Sequence, residues 1–309
     1  MAQAQPALEH GIKVSLFEPP PRGFDPLAAK PAELEKFGFP PRLEDAHHLE
    51  RYKRVMNHLK SKFHYIQPTF RVNTDRSHGP RKRGPKDATE TSGNWSGGVV
   101  YAPAGQSFKW IEGDWVVPDV SAPQQNEWFY CANWIGIDGD GSGDVCQAGV
   151  ECEVYQSGST TIKNIYPWWE WFPQAEVQIT NLGINPGDMV TMLLCTNQAA
   201  GSTSASLFFT NRTTGASTSL SFNAPAGTKL TGNSAEWIVE APTVGGAQSA
   251  IADYGQVFFN VCEAVTNNGT VVNGATGDNI NMTASGNVVS DGILIPPTVV
   301  ECLYAGQIP

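Results

Sequence analysis

The chain of 309 residues has no histidine after His78, and beyond residue 90 it has only four basic side chains, Lys109, Lys163, Arg212 and Lys229. The first absence excludes a Ser-His or Cys-His pair and a His-ligated zinc site from the last two thirds of the sequence. The second, set against nineteen acidic side chains in the same stretch, makes nucleic acid a poor partner. No run approaches the roughly 18 consecutive apolar residues of a membrane-spanning helix, so no membrane partner is expected. Residues 1–30 lack the apolar core of a secretory signal. No Asp-Thr-Gly or Asp-Ser-Gly turn occurs, which excludes a paired-aspartate site built from two such turns. No Cys-x-x-Cys pair occurs either. The six cysteines (Cys131, Cys146, Cys152, Cys195, Cys262 and Cys302) are even in number and lack metal-type spacing, which predicts disulfides in an oxidising compartment. A secreted protein whose signal was removed upstream is the corresponding expectation.

What is present divides sharply near residue 90. Sixteen of the 20 Lys and Arg and all six His precede it, whereas all nine Trp and all six Cys follow it. A basic leader therefore precedes an acidic unit. Protonating the carboxylates of that unit leaves only four side-chain cations to repel one another, so it is expected to tolerate acid.

Residues 1–40 are rich in Pro and read as extended. Over about 44–63, Leu49, Tyr52, Met56, Leu59 and Phe63 recur at spacings of three and four, which predicts an amphipathic helix with Arg51, Lys53, Arg54, Lys60 and Lys62 on its other faces. Residues 73–93, with Gly, Pro and the Arg81-Lys82-Arg83 run, read as an exposed, cleavable linker. From residue 91 to 309, short runs rich in Val, Ile, Thr, Trp and Phe alternate with Gly, Pro, Asn and Asp turns. This pattern predicts an all-β fold, an antiparallel β-sandwich of the concanavalin-like jelly-roll kind whose concave face can carry a groove.

The unit offers carboxylates, amides, hydroxyls and Trp for chemistry, which suits acid-base work or stacking on sugars. Asp138-Gly-Asp-Gly-Ser-Gly-Asp144 opens like a calcium loop, but Gly149 stands where the twelfth-position Glu belongs. No metal and no cofactor is therefore expected. Five segments combine instead: Asn94-Trp95; Trp134-Ile-Gly-Ile-Asp138; Gln147-Ala-Gly-Val-Glu151; Trp169-Glu170-Trp171; and Glu236-Trp-Ile-Val-Glu240. On a strand Glu236 and Glu240 share a face and can converge on one groove.

In this order and spacing the segments resemble the glutamic peptidases, the eqolisin family of acid endopeptidases with a β-sandwich fold. The resemblance implies Glu240 and Gln147 as the catalytic pair, and it implies Trp95, Trp134, Asp138, Glu151, Glu170 and Glu236 as residues that line or support the site. A Glu can take a proton from water and return it to the leaving nitrogen, and a Gln amide can bond the developing oxyanion. The pattern departs from the family at Glu151, where its best-known members have Asp, and in a longer loop from Asp140 to Gln147. By the same resemblance the leader is an inhibitory propeptide of a zymogen activated at low pH, where carboxylates lose charge and the leader's histidines gain it. The partners implied are protein or peptide substrates and the chain's own leader, with the molecule a monomer. A carbohydrate-binding or glycoside-hydrolysing β-sandwich is the alternative, since Trp-rich grooves with paired carboxylates also serve sugars, and a noncatalytic binding domain is a further one.

Overall fold

The structure, a computed structural model, describes residues 3–4, 8–42, 46–60, 62–83 and 91–306. The leader contributes strand β1 (Val14–Leu16), helices α1 (Pro31–Lys36) and α2 (Ala46–Lys60), and strand β2 (Phe70–Asn73). The acidic unit then runs through β3 (Trp95–Tyr101), β4 (Phe108–Val116), β5 (Trp128–Ile137), β6 (Val145–Ser157), β7 (Thr160–Phe172) and β8 (Glu176–Ile179). It continues with β9 (Met189–Thr196), β10 (Ser204–Asn211), β11 (Ala216–Asn223), β12 (Ser234–Glu240) and β13 (Gln256–Thr266). The last three strands are β14 (Asp278–Ala284), β15 (Asn287–Ile295) and β16 (Val299–Tyr304).

Two antiparallel sheets result. One has the order β3-β12-β5-β6-β7-β8-β2. The other has the order β1-β11-β10-β9-β4-β13. Along one side β14, β15 and β16 join them, because β14 pairs with β3 and β16 pairs with β13. The expected all-β sandwich is thus the fold of the chain.

Strand alternation decides what each face carries. On the first sheet Ile135, Ile137, Ala148, Val150, Trp169, Trp171 and Trp237 point inward, where they meet Ile111, Trp115, Met192, Leu207, Phe209 and Phe222 of the second in one apolar core. The other face of the first sheet is lined by a separate cluster that includes Trp95, Ala132, Trp134, Tyr166, Trp168 and Ile238. This second face is where the carboxylates lie.

The leader is built into this frame. Ile12, Val14 and Leu16 are buried members of the sandwich core, because β1 adds an edge strand beside β11. Helix α2 lies on the outer face of the second sheet, packing Tyr52, Val55 and Met56 with Trp110, Leu193, Phe208 and Val265. Its buried face differs from the expected stripe. Arg51, expected on a face other than the apolar stripe, is buried and pairs with Glu112 and, at 3.5 Å, with Glu263. His48 lies 3.3 Å from Glu112 and 3.2 Å from Glu263. The stripe turns because the outer face beneath the helix carries acidic side chains, and a buried carboxylate needs a partner. The side chain of Leu59 lies outside the described residues.

Two further expectations are corrected. Residues 73–83 are not a free linker, although Thr74, Asp75, Lys82 and Arg83 are exposed: β2 completes the edge of the first sheet, Arg76–Ser77 pairs with Thr243–Val244, and His78 is fully buried. Residues 84–90 lie outside the described residues. No disulfide forms, since all six cysteines are free thiols, five of them buried. Cys131 and Cys152 stand opposite each other on β5 and β6 yet remain unbonded, and both pack as small apolar side chains in the core.

Candidate active site

Pairing register brings the chemistry together. Across the first sheet, Trp95, Glu240, Ala132, Glu151 and Tyr166 occupy one row, and Glu236, Gly136, Gln147 and Glu170 occupy a row further along the same face. Between them lie Trp134, Gly149 and Trp168. Gly149 is required here: a Cβ on it would come within 2.5 Å of both the Asn133 carbonyl and the Trp134 Cβ. Its absence lets β5 and β6 approach at Trp134.

Glu240 is fully held. Its Oε1 accepts from Asn94 Nδ2 at 3.1 Å and its Oε2 from Trp134 Nε1 at 2.9 Å. Trp95 packs edge-on behind Trp134, with ring centroids 4.9 Å apart, and so fixes the donor. Burial pushes the Glu240 carboxyl up, while His78, Asn94 and Trp134 pull it back. Gln147 sits on β6 with Glu170 opposite on β7, their side chains 3.4 Å apart from Nε2 to Oε2. Glu170 and Glu151 are both held well above the usual carboxylate range, chiefly by burial. Neither oxygen of Glu151 accepts a hydrogen bond.

The leader crosses this face. The carbonyl of His78 accepts from Gln147 Nε2 at 2.5 Å, and its N–H donates to Glu170 Oε2 at 2.9 Å. Its imidazole stacks on Trp168 at a centroid distance of 3.8 Å and 8° between planes. Nε2 lies 2.9 Å from Glu176 Oε2 and 3.8 Å from Glu151 Oε2, and Nδ1 lies 3.6 Å from Glu240 Oε2. Burial opposes charge on this ring, yet Glu176 and Glu240 outweigh it and hold His78 protonated well above its ordinary range. Beyond it, Asn94 Nδ2 lies 3.4 and 3.3 Å from the Gly79 and Pro80 carbonyls. Arg81 and Arg83 converge on Asp140 at 3.0 and 2.5 Å.

Six of the eight residues singled out from sequence therefore gather here: Glu240, Gln147, Glu151, Glu170, Trp134 and, behind it, Trp95. Asp138 and Glu236 stand apart from them. Asp138 clamps the turn before β12, accepting from the N–H groups of Thr231 at 2.6 Å and Asn233 at 3.0 Å. Glu236 shares the face of Glu240 as its spacing requires, but its buried carboxyl looks toward Asp138 and Asp140. The calcium-like loop has its central carboxylate, Asp140, taken by the two arginines and by the Tyr101 hydroxyl at 2.6 Å. His78, Trp168 and Glu176 were not singled out. Glu176 follows a Pro turn with no pattern around it, and His78 sits in a Gly, Pro and basic run that reads as linker.

Metal-type ligands come within 4.8 Å of one another twice among the described residues, at His48, Glu112 and Glu263 and at His78, Glu151 and Glu176. In the first group the Arg51 guanidinium already lies between the carboxylates. In the second the imidazole is stacked and bonded to Glu176.

An antiparallel sandwich that holds an extended peptide over buried carboxylates and an amide is a peptide-binding scaffold with the groups for hydrolysis. Residues 93–304 match the family model described as the Peptidase A4 family. Aspergillopepsin-2 of Aspergillus niger is 31% identical over 200 residues, covering 59% of this chain and 67% of that protein. A scytalido-glutamic peptidase solved with a transition-state analogue inhibitor superposes with a TM-score of 0.58 at 24% identity, over 69% of this chain and 98% of that one. The aspergilloglutamic peptidase of Aspergillus niger superposes with a TM-score of 0.51 at 26% identity, over 57% of this chain and 99% of that one. The chain belongs to the Peptidase A4 family and is a glutamic peptidase, a hydrolase.

Proposed function

We propose that the chain is an acid endopeptidase in which Glu240 and Gln147 act as a dyad, made as a zymogen whose first 90 or so residues inhibit it. The observation that supports this reading most is a peptide residue laid across both members of the pair, the His78 carbonyl on the Gln147 amide and the His78 ring Nδ1 3.6 Å from the buried Glu240 carboxyl. In the proposed reaction ionised Glu240 takes a proton from a water molecule as its oxygen attacks the scissile carbonyl carbon. The carbonyl electrons move to oxygen, where the Gln147 N–H holds the charge without itself titrating. Glu240 then passes the proton to the leaving nitrogen, the C–N bond breaks, and an acid and an amine depart. Asn94 and Trp134 oppose the upward push of burial on Glu240, which keeps the base able to ionise in acid.

The leader inhibits in this reading because its imidazole stands against Glu240, where the attacking water belongs. Acid opens the groove through carboxylates rather than through His78. Asp140 is pushed up by burial, but Tyr101, Arg81 and Arg83 outweigh it and hold it below its ordinary value. Its pairing therefore stabilises the closed leader above the ordinary Asp range and is lost as pH falls through the lowered value. His78 has its value raised, so its grip is complete below the ordinary His range and is lost only as pH rises; gaining charge does not release it.

The test is intact mass against time after a shift from neutral pH to acid, for the wild type and Glu240→Gln. The wild type is expected to shed roughly its first 90 residues while the variant stays folded and whole. Equal processing of both chains would overturn the assignment of Glu240.

A further inference from the structure

We propose that His78, Glu151 and Glu176 form a zinc site shared between the leader and the acidic unit, so that a bound Zn2+ clips the closed leader in place. The acidic unit has no histidine of its own, and the leader supplies one where two carboxylates of that unit meet. His78 Nε2 lies 2.9 Å from Glu176 Oε2 and 3.8 Å from Glu151 Oε2, and all three side chains are fully buried. Their ligand atoms all lie within 4.8 Å of one another. Zinc bonds of about 2.1 Å at tetrahedral angles set neighbouring ligand atoms about 3.4 Å apart. The two separations bracket that value, and shifts of about half an ångström meet it.

Glu151 points to a cation most directly. It faces the ring nitrogen from a fully buried position, and neither of its oxygens accepts a hydrogen bond, although a buried carboxylate demands a partner. The surroundings fit a ligand set as well. Asn73 Nδ2 donates to Glu176 Oε1, which leaves Oε2 for the ion, and Trp168 stacks on the imidazole and fixes its plane. With the ion on Nε2, the ring keeps its proton on Nδ1, which faces the Glu240 carboxylate at 3.6 Å; a carboxylate behind the second nitrogen is what orients metal-bound imidazoles. One imidazole and two carboxylates suit zinc, and the two negative charges balance its own. On binding, Nε2 exchanges its proton for the ion and the proton leaves to solvent. The cluster of His48, Glu112 and Glu263 lacks these features, because the Arg51 guanidinium lies between its carboxylates and His48 turns a different ring nitrogen to each of them.

The experiment uses the full-length chain at about pH 7. Equilibrium dialysis against Zn2+, with metal counted per chain, is expected to show one bound ion, and Glu151→Gln and Glu176→Gln are each expected to raise the Kd at least about ten-fold. His48→Gln is expected to leave the Kd unchanged. Because the ion binds only the closed leader, zinc at about 100 times its Kd should slow trypsin cleavage between Arg76 and Arg83 about 100-fold, and should slow it in the Glu151→Gln chain by about ten-fold at most. No bound zinc, zinc bound equally well by the Glu151→Gln and Glu176→Gln chains, or zinc lost with His48→Gln would overturn the site. None of these outcomes bears on the dyad, since the site needs only the closed leader.

Discussion

Asp138 offers the clearest measure of how burial tunes this protein to acid. It holds a left-handed turn after β5, with φ of 70°, and its carboxyl accepts two backbone N–H bonds from residues 231 and 233. Burial nevertheless outweighs those bonds and pushes it up to about 6 from an ordinary 3.8. At 1.36 kcal/mol per unit, the difference is about 3 kcal/mol. The sign follows from proton counting. Below the ordinary value both folded and unfolded chains are protonated; between the two values only the folded chain keeps the proton, so stability falls as pH rises. Above the raised value the full amount is lost. Asp138→Asn removes this titration. In a Glu240→Gln background, which keeps the chain whole, urea unfolding followed by Trp fluorescence should show the parent losing about 3 kcal/mol more than the Asn variant between about pH 4 and about pH 7. Glu151 and Glu170, also raised by burial, tilt both curves alike and cancel in the comparison. Parallel curves, or a larger loss in the Asn variant, would show that the carboxyl is ionised throughout and refute the reasoning.

Two other perturbations separate the parts of the site. His78→Ala removes a charge-assisted bond to Glu176 and an aromatic stack, together worth about 2–4 kcal/mol; at neutral pH trypsin should cut the full-length variant at Arg76 to Arg83 at least about ten-fold faster than the wild type, and unchanged digestion would mean that the ring does not hold the strap. Trp134→Phe deletes the donor to Glu240 Oε2, so the Glu240 carboxyl should rise further and the acid limb of the pH–rate profile should move to higher pH, an effect that simple loss of packing does not produce.

Much of this was legible because strands have a period of two. Short runs ending in turns predicted a sandwich, and the even spacing of Glu236 and Glu240 put that pair on one face, as the pairing register then did. Period alone does not say what faces the carboxylates. Glu236 lies on the right face, in the row of Gln147, but four residues along β12 from Glu240 and under the influence of Asp138 and Asp140, and strand spacing carries no information on what lies beside it. The leader was less legible. Residues 74–83 make few ladder bonds and read as linker, yet Arg81, Arg83 and His78 are ordered by partners some 60 to 160 residues away in the chain. The helix showed the same failure in reverse: apolar spacing found its existence, but Glu112 on β4 and Glu263 on β13 rotated the face it buries.

The leader's two kinds of attachment respond differently to acid, which bears on how the proposed activation must proceed. Ile12, Val14 and Leu16 lie in the sandwich core, each burial stabilising by about 1.5–3 kcal/mol, and Tyr52, Val55 and Met56 add an apolar contact on the outer face. Neither depends on protonation. The strap over the groove is held by the His78 stack and its bond to Glu176 and by Arg81 and Arg83 on Asp140, of which the Asp140 pairing is lost when that carboxylate protonates. A fall in pH therefore acts on the segment proposed to block Glu240 while leaving the core strand β1 in place. In this reading groove opening and leader dissociation are separate events, and loss of charge on Asp140 loosens the Arg81 and Arg83 end of the strap first, with the His78 stack the contact that acid leaves in place.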